Sequence, residues 1–480
     1  MRNVDKRHSD YNKYASMWQF MRDSVDGEKA MKDGGDKYLP RLSEMQSNES
    51  YKAYINRAKY YNYVGRVCNI ARGQIFRKEP NITGLSEELF ENFDLTGRSV
   101  SSFARSVFDE IFSVNRAGVL IDYSVESSRP YAVIYKAENI INWRTEVING
   151  ELKLTLVVLE GNINEYNDFD EKQKKVWRSL HLENGVYIVR EWALGDKDKT
   201  EFILTGETTP IMNNNALDFI PFYFCCNTGI NPEVSKPQLY DFAEVNRGLY
   251  VNSADYENRL HMTGAVTLVT RGGDDTKAIP IGASFNLPTD GGAEFLEAST
   301  DGGLETAMNK KIEILASLQS AIIAGQGRYV QSAQTAQITS EGETATLKDY
   351  SRVMDIIFTP LCELMETWHT GKADITVEFN DDFDSARSTM QEAVQLNGIW
   401  SANGITDHDY YINMREMELI SKDTTEEMFF AAINAQKQKK SMSLCCLIRT
   451  ISQTHRTQKK LLMIMIVMIT HESSGSANIS

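Results

Sequence analysis

Proline and cysteine are both scarce in this chain. It has ten prolines in 480 residues, about 2% where roughly 5% is typical. Because proline interrupts the hydrogen bonding of a helix interior, this scarcity allows long helices and excludes collagen-like and proline-rich classes. The six cysteines contain no C-x-x-C pair, and four of them form two adjacent doublets, at 225–226 and 445–446. Such doublets are poor geometry for a disulfide or a zinc site, so we expect reduced, mostly buried thiols.

Long apolar runs and enzyme motifs are also absent from the sequence. The longest apolar run, residues 461–469, is far shorter than the ~20 residues that span a bilayer. Residues 1–20 lack the apolar core of a signal peptide, so we expect an intracellular, soluble protein with no membrane partner. No P-loop, H-E-x-x-H or G-x-S-x-G pattern occurs, and the seven histidines are scattered. The sequence therefore predicts a non-enzyme with no cofactor, no catalytic residues and no metal site.

Negative charge dominates, and it is unevenly placed. The net charge is −15, while residues 437–480 carry a net +6, which leaves −21 on the first 436 residues. A surface of this sign repels phosphate, so tight nucleic-acid binding through a basic face is not expected. A protein that lets DNA pass without adhering to it remains compatible with this charge.

The N-terminal half alternates between helical and strand-like patterns. We predict one half-buried helix over residues 51–72 ending at Gly73, a helix over 99–112 and a buried strand over 118–122. Residues 131–224 have the β-branched and polar alternation of an antiparallel layer, with strands near 152–159, 186–192 and 202–204.

Two long predicted helices bracket a small insert in the second half. Apolar residues at three- and four-residue steps predict helices over 239–262 and 304–324. Between them, residues 265–300 are rich in glycine and proline, as in hairpins and tight turns. Residues 328–342 consist almost wholly of Gln, Ser, Thr and Ala, which predicts a solvent-lined loop.

A regular helix is predicted to follow over residues 343–369. Pro360 lies inside it and would remove one backbone hydrogen bond, so we expect a kink there. A strand over 375–379 and helices over 386–436 complete the ordered part. The basic tail, 437–480, does not match what precedes it; we expect it to be disordered or the product of a shifted reading frame.

Two groups of charged residues allow both a structural and a functional interpretation. The acidic cluster Asp381, Asp382 and Asp384 could hold a divalent ion, but a turn in which these side chains cap neighbouring amides explains it as well, and we favour the turn. A set of basic residues lies in or near the insert and the polar loop: Arg271, Lys277, Lys310, Lys311 and Arg328. A solvated face is the simpler interpretation, and contact with a partner or with DNA phosphates is the alternative.

The order of these parts, together with short local stretches, resembles the portal-like family of tailed bacteriophages. The matching stretches are 38–40, 54–58 with Asn62, 73–80, 116–122, 254–256 with 260–261, and 380–383. The resemblance implies an α+β portal fold made of a wing (1–238), a stem helix (239–262), a clip (263–300), a second stem helix (301–326), a tunnel loop (327–342), a kinked wing helix with a strand (343–385) and a helical crown (386–436).

The resemblance also implies a function. Portal proteins form a ring, usually of twelve subunits, at one capsid vertex of the virion, assembled in the host cytoplasm. Double-stranded DNA passes through the channel with weak contact, and the partners are the large terminase subunit, a head-to-tail adaptor, and the major capsid and scaffolding proteins. The resemblance also implies which residues make these contacts. In the tunnel loop, the residues that face DNA would be Arg328, Tyr329, Gln331, Gln334 and Gln337. In the clip, the residues that dock partners would be Arg271, Asp274, Asp275 and Lys277.

Two other functions stay open at this point. A scaffold or adaptor protein would form no pore. A metal-dependent DNA-processing enzyme would use Asp381, Asp382 and Asp384 with Mg²⁺.

Overall fold

The structure, a computed structural model, falls into two units, Met1–Phe383 and Asp384–Ser480. It describes residues 3–195, 201–264, 267–271, 291–296, 302–323, 333–381, 383, 390–402, 404–416, 419–421 and 424–435. The fold mixes helices and antiparallel sheets, so the predicted α+β class is confirmed. In the described part, no helix is both long and apolar enough to cross a bilayer.

The N-terminal region of the first unit is helical. Its helices are α1 (Ser9–Asp26), α2 (Glu28–Asp33), α3 (Asn48–Arg57), α4 (Tyr63–Ile75), α5 (Glu87–Glu91) and α6 (Val100–Val114). The prediction for residues 99–112 is confirmed by α6, whose apolar face is buried and whose first turn is capped by the Ser99 hydroxyl.

The single helix predicted over residues 51–72 is wrong, because the chain breaks into α3 and α4. Ala58 has an extended backbone with ψ of 143°, which ends α3. Asn62 then begins a new helix, since its Oδ1 accepts a hydrogen bond of 2.8 Å from the backbone N–H of Gly65. The Asn62 amide also donates to the Val25 carbonyl at 2.8 Å. The Asn62 side chain therefore caps α4 and also connects it to α1. The helix α4 continues past Gly73 and ends at Ile75.

Two antiparallel sheets form the β-rich layer, as predicted for residues 131–224. The strands are β1 (Asn81–Thr83), β2 (Ala117–Ser124), β3 (Arg129–Lys136), β4 (Ile140–Ile148), β5 (Glu151–Asn167), β6 (Asp170–Glu183), β7 (Val186–Leu194), β8 (Phe202–Thr208), β9 (Ile211–Met212), β10 (Asn215–Ala216), β11 (Phe222–Cys226) and β12 (Gly229–Ile230). One sheet has the strand order β12-β11-β2-β3, and the other is a meander in the order β4-β5-β6-β7-β8.

Long helices follow the sheets. They are α7 (Tyr240–Gly264), α8 (Gly303–Ile323) and α9 (Ala333–Thr370). Between α7 and α8, β13 (Thr267–Arg271) pairs antiparallel with β14 (Gly292–Leu296). The predictions of two long helices and of paired strands in the insert between them are therefore confirmed, and the turns predicted within residues 272–290 lie outside the described residues. After α9, β15 (Thr376–Glu378) pairs antiparallel with β1.

The polar loop predicted up to residue 342 is shorter than expected, because α9 begins at Ala333 rather than at residue 343. Ala and Gln are good helix formers whether or not they are buried, so the polarity of Gln334 and Gln337 does not oppose a helix. Residues 328–332 lie outside the described part. Pro360 lies inside α9, as predicted, and it has no N–H to donate to the Ile356 carbonyl. The kink itself stays a prediction.

An aromatic cluster joins α6 to the middle of α9 in the core. Phe108 and Phe112 stack with ring centroids 5.2 Å apart, and Tyr350 meets both rings edge-on at 5.9 and 5.1 Å. All three are buried. Each such side chain contributes roughly 1.5–3 kcal/mol through burial, so α9 is firmly held in its central part.

The second unit contains α10 (Met390–Ser401) and α11 (Asp407–Glu416), and residues 426–435 are also helical. Trp400 and Tyr410 stack with nearly parallel rings 4.4 Å apart, and Phe429 contacts Tyr410 at 6.0 Å. These contacts confirm helices within the predicted range 386–436. The predicted aberrant tail, 437–480, lies outside the described residues.

Candidate functional site

The helix α7 is buried in the core at its beginning and exposed at its end. Its first half buries Phe242, Leu249 and Tyr250, whereas Leu260 and Met262 near its end are 43% and 61% exposed. Leu260 lies about five helical turns after Phe242 and therefore on the same face, so this apolar face continues beyond the part that the subunit's own core covers. The far end of α7 thus carries apolar surface into solvent.

Hydrogen bonds attach the second half of α7 to the N-terminal helices. The Tyr54 hydroxyl on α3 donates to Oδ1 of Asp255 at 2.6 Å, and Arg57 donates to Oδ1 of Asn258 at 2.7 Å. The hydroxyl of Ser253 donates to the Lys59 carbonyl at 2.6 Å. Burial and the hydrogen bond to Asp255 raise the pKa of Tyr54 far above its usual range. These contacts fix the direction in which α7 projects.

The helix α8 packs on α7 but is mostly uncovered. Lys311 donates to Oδ1 of Asn252 on α7 and lies so close to Gly248 that a Cβ there would be 3.1 Å from the lysine Cε. Over residues 303–319, Leu315 is the one buried side chain. Ile314 and Leu318 are 39% and 37% exposed. A helix this exposed with free aliphatic side chains is typical of a surface that another chain covers.

The residues predicted to contact partners or DNA are only partly placed by the structure. Arg271 is the last residue of β13 and lies opposite Gly292. Asp274, Asp275 and Lys277 lie outside the described residues, as do Arg328, Tyr329 and Gln331. Gln334 and Gln337 belong to the first turns of α9. The roles of all these residues stay predictions.

The basic residues of α8 differ in their surroundings. Lys310 is 71% exposed and lies 3.5 Å from Glu313, which is also exposed. Such a pair contributes little to stability. Lys311, in contrast, is bound to α7 as described above, so its role is at least partly structural.

The acidic segment after β15 is held by α9. The backbone N–H of Phe379 donates to Oδ1 of Asp355 at 2.7 Å, and the Ser351 hydroxyl donates to the Asn380 carbonyl at 2.8 Å. The Asn380 amide donates to the Gln74 carbonyl at 3.0 Å. These contacts favour the structural interpretation of the segment that contains Asp381. Asp382 and Asp384 lie outside the described residues, and within the described ones no cluster of three His, Cys, Asp or Glu has metal-site geometry.

A cleft that the sequence analysis did not predict lies beside the five-stranded sheet. It has a volume of about 720 Å³, and its lining includes Asp122, Tyr123, Arg178, Glu191 and Trp368. The ring of Tyr123 stacks on Trp368 with centroids 5.8 Å apart. Nη2 of Arg178 lies 2.7 Å from Oδ2 of Asp122. These residues come from β2, β6, β7 and α9, so no local sequence pattern brings them together.

Comparison with known protein families matches one part of this chain. The family described as Domain of unknown function (DUF4055) matches residues 238–369, which contain α7, α8 and almost all of α9. No curated protein matches the chain.

Solved structures of gene transfer agent particles are similar to this chain. One is titled "Neck of empty GTA particle computed with C6 symmetry", with a TM-score of 0.34 and 10% identity over 79% of this chain and 94% of that chain. Another is titled "Virion of native gene transfer agent (GTA) particle", with a TM-score of 0.36 and 10% identity over 78% of this chain and 94% of that chain.

Proposed function

We propose that this chain is the subunit of a portal-type head-to-tail connector. Copies of it form a ring, of about twelve subunits, at one vertex of a virion, and double-stranded DNA passes through the central channel during packaging and ejection. The observation that carries this proposal is the helix pair α7 and α8, which bears a β hairpin between the helices and leaves aliphatic side chains of α8 uncovered.

The uncovered face of α8 supports ring formation. A cyclic ring with one kind of subunit needs two different complementary surfaces on each copy. Ile314 and Leu318 supply an apolar surface on a helix whose own subunit covers little of it. Packing of this face against the next copy would remove these side chains from water, which is favourable at about 25 cal/mol for each Å² of apolar surface.

The charge of the chain supports passage of DNA rather than tight binding. The first 436 residues carry a net charge of −21, and a channel wall with excess negative charge repels the phosphate backbone. In this proposal the residues predicted for the tunnel loop, Arg328, Tyr329, Gln331, Gln334 and Gln337, provide weak contacts at the constriction. The residues Arg271, Asp274, Asp275 and Lys277 dock the terminase and later the adaptor. Because the sequence contains no P-loop, the packaging energy comes from the separate terminase.

The proposal is tested by negative-stain electron microscopy and native mass spectrometry of the full-length protein. We expect rings with a central hole and a mass near twelve times 54.4 kDa. The variant Leu318→Asp should weaken the ring because it buries a charge in the interface. Asn309→Asp adds the same charge to an exposed position of the same helix and should leave the ring intact. A monomer for the unaltered protein at high concentration and physiological salt would contradict the proposal.

A further inference from the structure

Two strands of the five-stranded sheet extend beyond their neighbours. The pairing of β4 with β5 ends at Leu159, and the pairing of β7 with β6 ends at Val176. Beyond these points, within the residues that the structure describes, β5 and β6 pair only with each other, up to Asn167 and Asp170. Residues 160–175 are therefore a two-stranded projection, which we call the hairpin arm. At about 3.3 Å per residue, the arm projects roughly 25 Å from the sheet.

The tip of the hairpin arm carries an uncovered aromatic side chain. Phe169 is fully exposed, at 103% of its reference area, and Ile163 on the arm is 55% exposed. Asp168 has a positive φ of 53° that closes the turn. An isolated two-stranded hairpin is marginally stable in water, so an arm of this length with a phenylalanine at its tip is typical of a segment that a partner holds.

The cleft beside the same sheet has a matching surface. Its walls include Val125 and Ile211, which are 86% and 60% exposed, and the half-buried ring of Tyr123, which stacks on the buried Trp368. Aromatic side chains favour contacts with other aromatic rings beyond simple area burial. The cleft thus offers aromatic and aliphatic surface for a side chain such as phenylalanine.

Charged residues flank both surfaces. Asp168, Asp170 and Glu171 surround Phe169 at the arm tip, and Arg178 is a cation in the cleft lining. Asp122, the acid nearest to Arg178, already accepts hydrogen bonds from Arg178 and from the backbone N–H of Tyr123. The Arg178–Asp122 pair is neutral as a unit, and Glu191 adds a negative charge to the lining. The insertion therefore depends on the apolar surface of Phe169 and not on charge.

The arm cannot reach the cleft of its own subunit. Arg178 and Asp170 lie on the same strand, β6, eight residues apart, which is about 26 Å in an extended strand. The tip of the arm therefore lies about that far from the cleft of its own subunit. A second copy of the chain can present the cleft to this tip.

We propose that Phe169 of one subunit inserts into the cleft between Tyr123, Val125 and Ile211 of the next subunit. This inference rests on the proposed ring and names a contact that holds it together. The arm is the projecting surface and the cleft the receiving one, so each copy contributes both halves of a heterologous interface. Such a contact closes into a ring when the rotation between neighbours divides a full turn evenly.

Site-specific cross-linking tests the contact in the full-length chain. The background carries Cys445→Ser and Cys446→Ser, because Cys68, Cys225, Cys226 and Cys362 are buried and free. Asp170→Cys, beside the intact Phe169, and Val125→Cys are then combined and treated with a short bismaleimide. We expect a ladder of covalent multimers from the double variant and monomers from each single variant, since the bridge needs one cysteine from each neighbour.

A charge variant gives an independent measurement. Phe169→Asp should raise the protein concentration needed for half-assembly about tenfold or more, as for a central aromatic of an interface. Met45→Asp is the matched control, because Met45 is 97% exposed and lies outside both surfaces. Phe169 has no covered area in the subunit, so its replacement should leave the fold unchanged.

The outcomes separate this inference from the proposed function. Rings without a ladder, and with unchanged assembly of Phe169→Asp, would overturn the arm contact and leave the connector proposal standing. The absence of rings from the unaltered protein would overturn both. A ladder together with weakened assembly of Phe169→Asp alone supports the contact.

Discussion

The hydroxyl of Tyr54 donates a 2.6 Å hydrogen bond to the Asp255 carboxylate, across 201 residues of sequence. Tyr54 is 1% exposed, so the bond lies at the edge of the core where α3 meets the second half of α7. It ties the projecting helix to the N-terminal helices.

Removal of this hydroxyl should destabilise the subunit. We expect Tyr54→Phe to lower the free energy of unfolding by about 1–2 kcal/mol, because a hydrogen bond to a charged group is lost. Urea unfolding followed by circular dichroism measures the change. In a double-mutant cycle with Asp255→Asn the two effects should be less than additive. Fully additive effects would show that the two residues do not interact.

Glu366 on α9 binds the start of α5. It is 5% exposed, and it accepts hydrogen bonds from the backbone N–H of Ser86 at 2.9 Å and from the Ser86 hydroxyl at 2.7 Å. Glu366→Ala leaves both donors without their partner, so we expect a loss of about 2–3 kcal/mol of stability. Glu363→Ala, at an exposed position three residues earlier, should change stability by less than about 0.5 kcal/mol. Equal losses from the two variants would contradict the role assigned to Glu366.

Asp355 should make stability depend on pH. Burial raises the pKa of its carboxyl to about 6, against the lowering effect of the Phe379 N–H bond, and the charges of Asp381 and Glu378 raise it further. The pKa of an unfolded aspartate is near 3.9, so the folded state binds this proton more tightly. The resulting stabilisation is present below about pH 4 and is lost as the pH rises to about 6.

The variant Asp355→Asn isolates this effect. The amide keeps an oxygen for the Phe379 N–H and does not titrate, so the stability of the parent relative to the variant should fall between about pH 4 and pH 6 and stay constant above. Urea unfolding of both proteins across this range measures it. A difference that is independent of pH would show that Asp355 has an ordinary pKa.

Arg116 is a buried cation between two aromatic rings. Its guanidinium lies 4.3 Å from the centroid of Trp143 and 4.4 Å from that of Phe224, and it donates to the Pro232 carbonyl at 3.1 Å. Burial lowers its pKa to about 9, so it is still charged at pH 7. In the described part of the chain, its Nε and Nη2 have no hydrogen-bond partner. Desolvation of this charge therefore offsets much of what the ring contacts contribute.

This balance predicts that methionine at position 116 lowers the stability less than alanine does. Arg116→Met fills the space between the rings without a buried charge, so its cost should be below about 1 kcal/mol. Arg116→Ala leaves a cavity and should cost about 2–4 kcal/mol. Thermal unfolding followed by circular dichroism compares the variants. A methionine variant as unstable as the alanine variant would mean that the charge itself stabilises the site.

Local patterns in the sequence are sufficient to predict the helices and strands whose buried and exposed faces follow from the residues of one segment. The apolar steps of residues 239–262 and 304–324 predicted α7 and α8, and the alternation across residues 131–224 predicted the sheets. The four described cysteines are buried and free, as expected. These features follow from periodicity, composition and turn residues, which act over a few residues at a time.

Most of the features that the sequence does not predict depend on contacts with distant residues. The division of residues 51–72 into α3 and α4 requires Asn62, which bonds to Val25 on α1. The short strand β1 has three residues and exists through its pairing with β15, almost 300 residues later. The beginning of α9 at Ala333 is an exception, because it follows from the local helix propensity of these polar residues and not from distant contacts.

By itself, the sequence determined the α+β class, the order of the long helices and the β hairpin between them, and the excess of negative charge, because periodicity and composition decide these locally. The tertiary structure decided where the second half of α7 is attached, which face of α8 stays uncovered and how far the hairpin arm projects. It also assembled the cleft from β2, β6, β7 and α9. These features depend on contacts between residues far apart in sequence, and only the closed fold brings such residues within reach of one another.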